Sequence, residues 1–161
     1  MPEQRLWAPW RMRYVQGERQ DEGCIFCLAA RAGVDEERHV LQSGEHSLLM
    51  LNAFPYNSGH LMIAPHRHVP SIEQLDDEEL LELMTLAQRA LAALRDAYHP
   101  HGFNLGINEG TIAGAGFADH VHLHVVPRWP ADSNFMAVTG DTRVLPQALE
   151  DTYATLRPRL A

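Results

Sequence analysis

Cysteine is scarce in this chain: two of 161 residues, both in the stretch Cys24-Ile25-Phe26-Cys27. Two thiols cannot make the framework of a disulfide-rich secreted domain, and C-x-x-C spacing in a reducing compartment suits metal or redox work. No apolar run approaches the roughly 20 residues that a membrane span needs, so no membrane partner is expected. The opening Met1-Pro2-Glu3-Gln4-Arg5 lacks the apolar core of a signal peptide, which makes a cytoplasmic location the expectation. Positive charge is also short. Thirteen basic residues against 21 acidic ones leave a formal charge of −8, which argues against nucleic acid as a partner. With 45% hydrophobic and 21% charged residues, the chain reads as one soluble globular domain over residues 1–161, long enough to bury a core without staples.

Histidine, by contrast, is plentiful: ten residues, three of them in His120-Val121-His122-Leu123-His124-Val125-Val126-Pro127. Strict alternation predicts a half-buried strand that Pro127 closes, with Val121, Leu123 and Val125 facing a core and the three imidazoles sharing the other face. At about 3.3 Å per residue, those rings span roughly 13 Å. One histidine acting as a nucleophile, two or three ligating a catalytic metal, and a merely wet sheet face are the competing readings. Three histidines at period two weigh against the last.

The turn before this run, Asn108-Glu109-Gly110-Thr111-Ile112-Ala113-Gly114-Ala115-Gly116, is rich in glycine, which lets backbone N–H groups approach an anion closely. Placed directly before the histidines, it reads as a phosphate cradle beside a nucleophile. The C-x-x-C turn supplies half of a tetrahedral zinc site; the rival redox reading needs a βαβ pattern that the chain lacks. His66 and His68 are both candidates to complete such a site.

Strands are expected over His39–Ser43, Ser47–Leu51, His60–Ala64 and Phe103–Asn108, with a turn at Gly44-Glu45 and a breaker-rich loop over Asn52–Gly59. A short helix is expected over Leu28–Ala32, ended by Gly33. The long helix runs from Asp76 to about Tyr98, with Asp76 and Glu79 as a capping box. Its buried stripe is read as Leu80, Leu83, Ala87, Leu91, Leu94 and Tyr98, and its solvated side as Glu78, Glu82, Arg89 and Arg95. A last helix is expected over Pro146–Leu160, within a C-terminal extension over 130–161. At the other end, residues 1–22 form an arm whose Trp7, Trp10 and Tyr14 pack on the body, with Arg11 and Arg13 either reaching phosphate or solvated.

Taken together, His120-Val-His122-Leu-His124-Val-Val resembles the histidine-triad (HIT) motif without a departure. The resemblance extends over a core at residues 24–129, through Cys24–Cys27, Asn52, Gly59–His68 and Asn108-Glu109-Gly110. It implies an α+β HIT-like fold: an antiparallel sheet of about five strands, one long helix and a homodimer. It also implies a nucleotide substrate. His122 would be the nucleophile toward the α-phosphorus, forming a nucleotidyl-imidazole, with its other ring nitrogen donating to a carbonyl in the glycine turn. His124 would contact the phosphate or leaving group. Asn108, with backbone amides near Gly114 and Gly116, would stabilise the phosphoryl oxygens. Asn52 would bind ribose, and Ile25 and Phe26 the base. Zinc-bearing members imply a structural Zn on Cys24, Cys27, His68 and His120, a closed set that leaves His122 free.

Many relatives carry Gln four residues before the first histidine; here that place is taken within Ala115-Gly116-Phe117-Ala118-Asp119. With Trp7-Ala8-Pro9-Trp10-Arg11-Met12 and Pro127-Arg128-Trp129, this altered turn resembles the bacterial diadenosine tetraphosphate phosphorylase branch. That branch implies inorganic phosphate as acceptor, giving ATP and ADP, with Trp129 shaping the acceptor site. Hydrolysis of dinucleoside polyphosphates or nucleoside phosphoramidates is the enzymatic alternative. A nucleotide-binding or scaffolding protein is the non-enzymatic one.

Overall fold

The computed structural model describes residues 23–132 and 147–161. The expectations for the arm over residues 1–22 and for Pro146 lie outside the described residues. Five antiparallel strands form one sheet in the order β1-β2-β3-β5-β4. They are β1 (Val40–Ser43), β2 (Ser47–Leu51), β3 (Leu61–Pro65), β4 (Gly102–Ile107) and β5 (Leu123–Arg128). The helices are α1 (Ile25–Ala32), α2 (Asp77–Tyr98) and α3 (Leu149–Leu156), the last continuing into a 3-10 turn over Arg157–Arg159. This is the expected α+β architecture. Among the described residues no helix is long and apolar enough to cross a membrane.

The apolar strands β2 and β3 are buried on both faces, which is why they read as near-continuous hydrophobic runs. Leu49, Leu51, Leu61, Ile63, Leu123 and Val125 pack under α2 and α3. Leu48, Met50, Met62 and Ala64 pack on the opposite face with Phe26 and Ala29 of α1 and with Phe117. The period of two thus sorts each strand between a helical core and the layer that carries the histidines.

The start of α2 has both halves of the capping box: Asp76 Oδ1 accepts from the Glu79 amide at 2.9 Å, and Glu79 accepts from the Asp76 amide at 2.9 Å. Its buried stripe is Leu83, Leu86, Ala87, Ala90, Ala93 and Leu94. Leu80, expected inside, is 36% exposed, and Leu91 and Tyr98 are only partly buried. Glu82 is not simply solvated: its carboxylate accepts from the backbone amides of Glu45, His46 and Ser47.

Three local expectations need correction. First, α1 begins at Ile25 rather than Leu28, so Cys24 is its N-cap and Cys27 lies in its first turn. Second, β5 starts at Leu123, not at His120: residues 120–122 are held by isolated bonds, such as the Val121 amide on the Val69 carbonyl at 2.7 Å. Third, Pro127 does not stop the strand. Pairing with β3 ends at Val125, and the Pro127 carbonyl accepts from Asn57 on that side, so the missing N–H interrupts no ladder bond with β4.

Candidate active site and metal centre

The loop entering β3 depends on Gly59, which has φ +79° and leaves no room for a Cβ, 2.9 Å from a Leu94 methyl. It delivers His60, which is 1% exposed, onto the face that Met62 shares. Met62 is in register with His124 on the neighbouring β5, so the period of two brings His60 and His124 together across the sheet. His60 Nδ1 accepts from the Tyr56 amide at 3.0 Å, which assigns the ring proton to Nε2. That N–H donates to His124 Nδ1 at 2.9 Å and so assigns the His124 proton to Nε2.

His122 is 3% exposed, and its Nδ1–H donates to the carbonyl of His120 at 2.8 Å. The acceptor is therefore in the histidine run itself and not in the glycine turn. Its Nε2 is left as the nitrogen with the lone pair. Burial pushes the His122 pKa below the usual histidine range, against the opposing effect of the carbonyl bond, so the ring is neutral at physiological pH. The His122 ring contacts Phe26, at 4.7 Å between centroids and 32° between planes, and makes a T-shaped contact with His124 at 4.8 Å and 71°.

His120 has a different task. It is fully buried, and its Nε2–H donates to the Pro65 carbonyl at 2.8 Å, so Nδ1 is bare. That nitrogen lies 3.3 Å from Cys24 Sγ, 3.7 Å from Cys27 Sγ and 3.2 Å from His68 Nδ1, and Cys27 Sγ is 3.3 Å from His68 Nδ1. All four donor atoms lie within 4.8 Å of one another. Burial is the main cause that lowers the His120 pKa, to about 4, which keeps the ring in its ligating form. A Cys₂His₂ set with a carbonyl orienting one imidazole is the donor chemistry of a closed, structural metal site. His68 completes it. His66 does not: its Nε2 lies 3.4 Å from Ser43 Oγ instead.

One cavity opens against this arrangement, lined by Ile25, Met50, Asn52, Ala53, Phe54, Tyr56, Met62, Gly116, Phe117, His122 and His124. It gathers Ile25, Asn52, Gly116 and two of the triad histidines, His122 and His124. Phe26 is not part of its wall, being fully enclosed behind it. Asn108 and the exposed Gly114 also lie outside the lining. Trp129 stands apart: it is five residues beyond His124, roughly 16 Å along an extended strand. Its indole N–H donates to the Tyr98 carbonyl at 3.4 Å.

Several site residues are not identified by the sequence reading: His60, Tyr56, Met50, Met62 and Phe117. Period two over His60–Ala64 contained the signal for His60 and Met62, but only the β3–β5 register says which face they share with His124. Glu109 is a further residue whose contacts no sequence pattern marks. Its carboxylate accepts from the Ile72 amide at 2.8 Å and the Ser71 hydroxyl at 3.1 Å, which ties the glycine turn to the loop after β3.

A model of the HIT domain matches residues 34–131. The chain is 42% identical over 160 residues to a Mycobacterium tuberculosis (strain H37Rv) protein named AP-4-A phosphorylase, covering 95% of this chain and 82% of that protein. It is 28% identical over 142 residues to the Bacillus subtilis protein named Protein hit, covering 87% of this chain and 96% of that one. Among solved structures, a zinc-bound histidine triad family protein from Mycobacterium smegmatis matches with a TM-score of 0.68 at 28% identity, over 86% of this chain and 93% of that one. The stretch matched by the domain model takes in all five strands, the long helix and the histidine run, and on that extent of likeness the chain belongs to the histidine-triad (HIT) family.

Proposed function

We propose that this chain is a nucleotidyl transferase whose covalent intermediate forms on His122, and that its reaction is phosphorolysis of diadenosine tetraphosphate to ATP and ADP. The observation that carries the reading is the His122 ring: neutral, with Nδ1–H committed to the His120 carbonyl and Nε2 left to attack from the cavity wall. Resemblance to the M. tuberculosis AP-4-A phosphorylase supports the choice of substrate.

In the first step the Nε2 lone pair of His122 attacks the α-phosphorus, and the P–O bond to the departing nucleotide breaks. The His124 Nε2–H, assigned by the His60 bond, stabilises the oxygen that leaves. In the second step an oxygen of inorganic phosphate displaces His122 and takes the adenylyl group, which yields ADP beside the ATP already released. Ile25, Met50, Met62 and Phe117 supply an apolar wall for the base, and Asn52 a polar group for ribose. The Gly116 backbone, with Asn108 and Gly114 at the margin, is the proposed cradle for the phosphoryl oxygens. Trp129 lies just past the end of β5 and outside the cavity lining, so the reading gives the acceptor site to the altered turn.

Zinc suits the Cys24, Cys27, His68 and His120 donors, and when bound it would supply a structural cross-link between α1, the loop after β3 and the histidine run. The zinc-bound M. smegmatis relative supports that choice of metal. A homodimer is also proposed, since β4 is paired with β5 on one side only and leaves an edge for a second copy.

Product analysis with diadenosine tetraphosphate, with and without inorganic phosphate, tests the proposal, with His122→Ala run beside the native chain. ATP and ADP that appear only with phosphate are the expected products. ATP and AMP regardless of phosphate would make the enzyme a hydrolase. No turnover of this substrate or of a nucleoside phosphoramidate, with nucleotide still bound, would favour a binding or scaffolding protein.

A further inference from the structure

We propose that Phe26 is a positioning residue for the nucleophilic imidazole, a role that rests on the reading of His122 as the nucleophile. The phenyl ring is fully enclosed. Its centroid lies 4.7 Å from that of His122, with 32° between the planes, and 5.1 Å from that of His120. These are the separations of tilted, stacked aromatic pairs, which prefer defined relative orientations.

The His120 carbonyl fixes one corner of the His122 ring through Nδ1. A single hydrogen bond leaves some play in the side-chain torsions, above all the broad χ2, and that play can carry Nε2 off its line of attack. Contact with the enclosed phenyl ring at 4.7 Å and a T-shaped contact with His124 at 4.8 Å restrict that freedom. Phe26 is itself backed by Phe117, edge-to-face at 5.6 Å and 75°. The stack therefore runs from the glycine turn through Phe26 to the nucleophile.

The backbone that carries Phe26 is also anchored. Cys24 is the N-cap of α1 and Cys27 lies in its first turn, so two of the four donors of the metal centre bracket Phe26 in sequence. A third donor, His120, provides the carbonyl that holds Nδ1. One cluster thus anchors both supports of the nucleophile, the carbonyl at its corner and the phenyl against its face. In-line attack at phosphorus is sensitive to such alignment, and a misplacement of about 1 Å can cost ~100-fold in rate.

The test uses the full chain as isolated, with Phe26→Leu and Phe26→Met, both apolar and without a flat ring. Zinc content and the melting curve are recorded for each. Turnover is measured with diadenosine tetraphosphate plus inorganic phosphate and, in parallel, with a fluorogenic adenosine phosphoramidate. Histidine ring ¹⁵N spectra report the tautomer of His122. The expected result is a fall in kcat of about 10- to 100-fold with KM changed little, in a folded protein that keeps its metal. The single Nδ1–H tautomer of His122 gives way to a mixture in those variants.

A raised KM with kcat unchanged would overturn the proposal and make Phe26 a substrate contact. Native kcat with one His122 tautomer would overturn it in favour of plain core packing. Should both variants fail to fold, the native protein still decides: absence of ring-to-ring nuclear Overhauser contacts between Phe26 and His122 sinks the idea. A native chain that turns over neither probe defeats the proposed function instead, and the tautomer spectra then decide the role of Phe26 alone.

Discussion

The peptide carbonyl of His120 holds the imidazole of His122 at 2.8 Å, while the ring of His120 is turned away toward the cysteines by Pro65. One residue thus contributes to two candidate sites: its ring nitrogen joins the Cys24, Cys27 and His68 donor cluster, and its backbone carbonyl sets the tautomer of the proposed nucleophile. The arrangement is made by residues 120–122, which lie outside the regular ladder, just before β5 begins.

His60 sets the tautomer of His124, so its loss should act on the leaving group. His60→Ala is expected to lower kcat by about 10- to 100-fold, with little change in KM. Comparing phosphoramidates with good and poor leaving groups checks this. The deficit should widen as the leaving group becomes more basic, and an equal deficit across the series refutes the assignment.

Removing the proposed metal should cost stability and, because the same cluster anchors both supports of His122, lower turnover without abolishing it. Cys27→Ser is expected to lose bound zinc, measured by elemental analysis, and to melt roughly 6–12 °C lower, the shift for about 3 kcal/mol in a domain of this size. His122 is no donor of that centre, so residual turnover at low temperature should persist. A melting temperature unchanged by both chelation and substitution would remove the structural role.

Glu79 is buried at the start of α2 and accepts from Arg67 Nε at 2.6 Å. Chiefly through that guanidinium, its carboxyl is lowered from 4.5 to about 2. The folded state therefore binds this proton more weakly than the unfolded chain. The resulting stabilisation is complete above about pH 4.5 and is lost as pH falls toward 2. Urea titrations at pH 7, 4 and 3 should show Glu79→Gln less stable than native at pH 7 and the difference narrowing at pH 3. A constant difference would contradict the linkage.

Glu82 ties α2 to the hairpin between β1 and β2 through three backbone amides. Glu82→Ala should cost about 1–2 kcal/mol in chemical denaturation and leave kcat unchanged. A Cβ on Gly44 would lie 2.5 Å from Glu82 Oε1, so Gly44→Ala should displace the same carboxylate and cost a similar amount. If the two losses simply add in the double variant, the shared contact is not their cause.

Local periodicity carries what depends on local geometry. Alternation alone sorted Val121, Leu123 and Val125 into the core, because successive side chains on extended backbone point to opposite faces. Asp76 and Glu79 announced the start of α2, because a capping box closes within one turn. Gly44-Glu45 marked the hairpin, and the apolar runs marked the two central strands. The C-x-x-C spacing and the histidine run, through family resemblance, named all four donors that the structure gathers.

Tertiary structure decided what depends on segments far apart in the chain. Phe26 looked like a contact to the base, but α1 starts early enough to place it behind the cavity, against His122. His60 was one polar residue on a strand until the β3–β5 register set it on His124. The second role of Glu79, and that of Glu82, needed partners in loops that periodicity does not describe. The acceptor for His122 needed the path of residues 120–122. A sequence pattern states which way a side chain faces along its own element; what it meets is set by register and packing between elements, where the energies of many contacts are decided together.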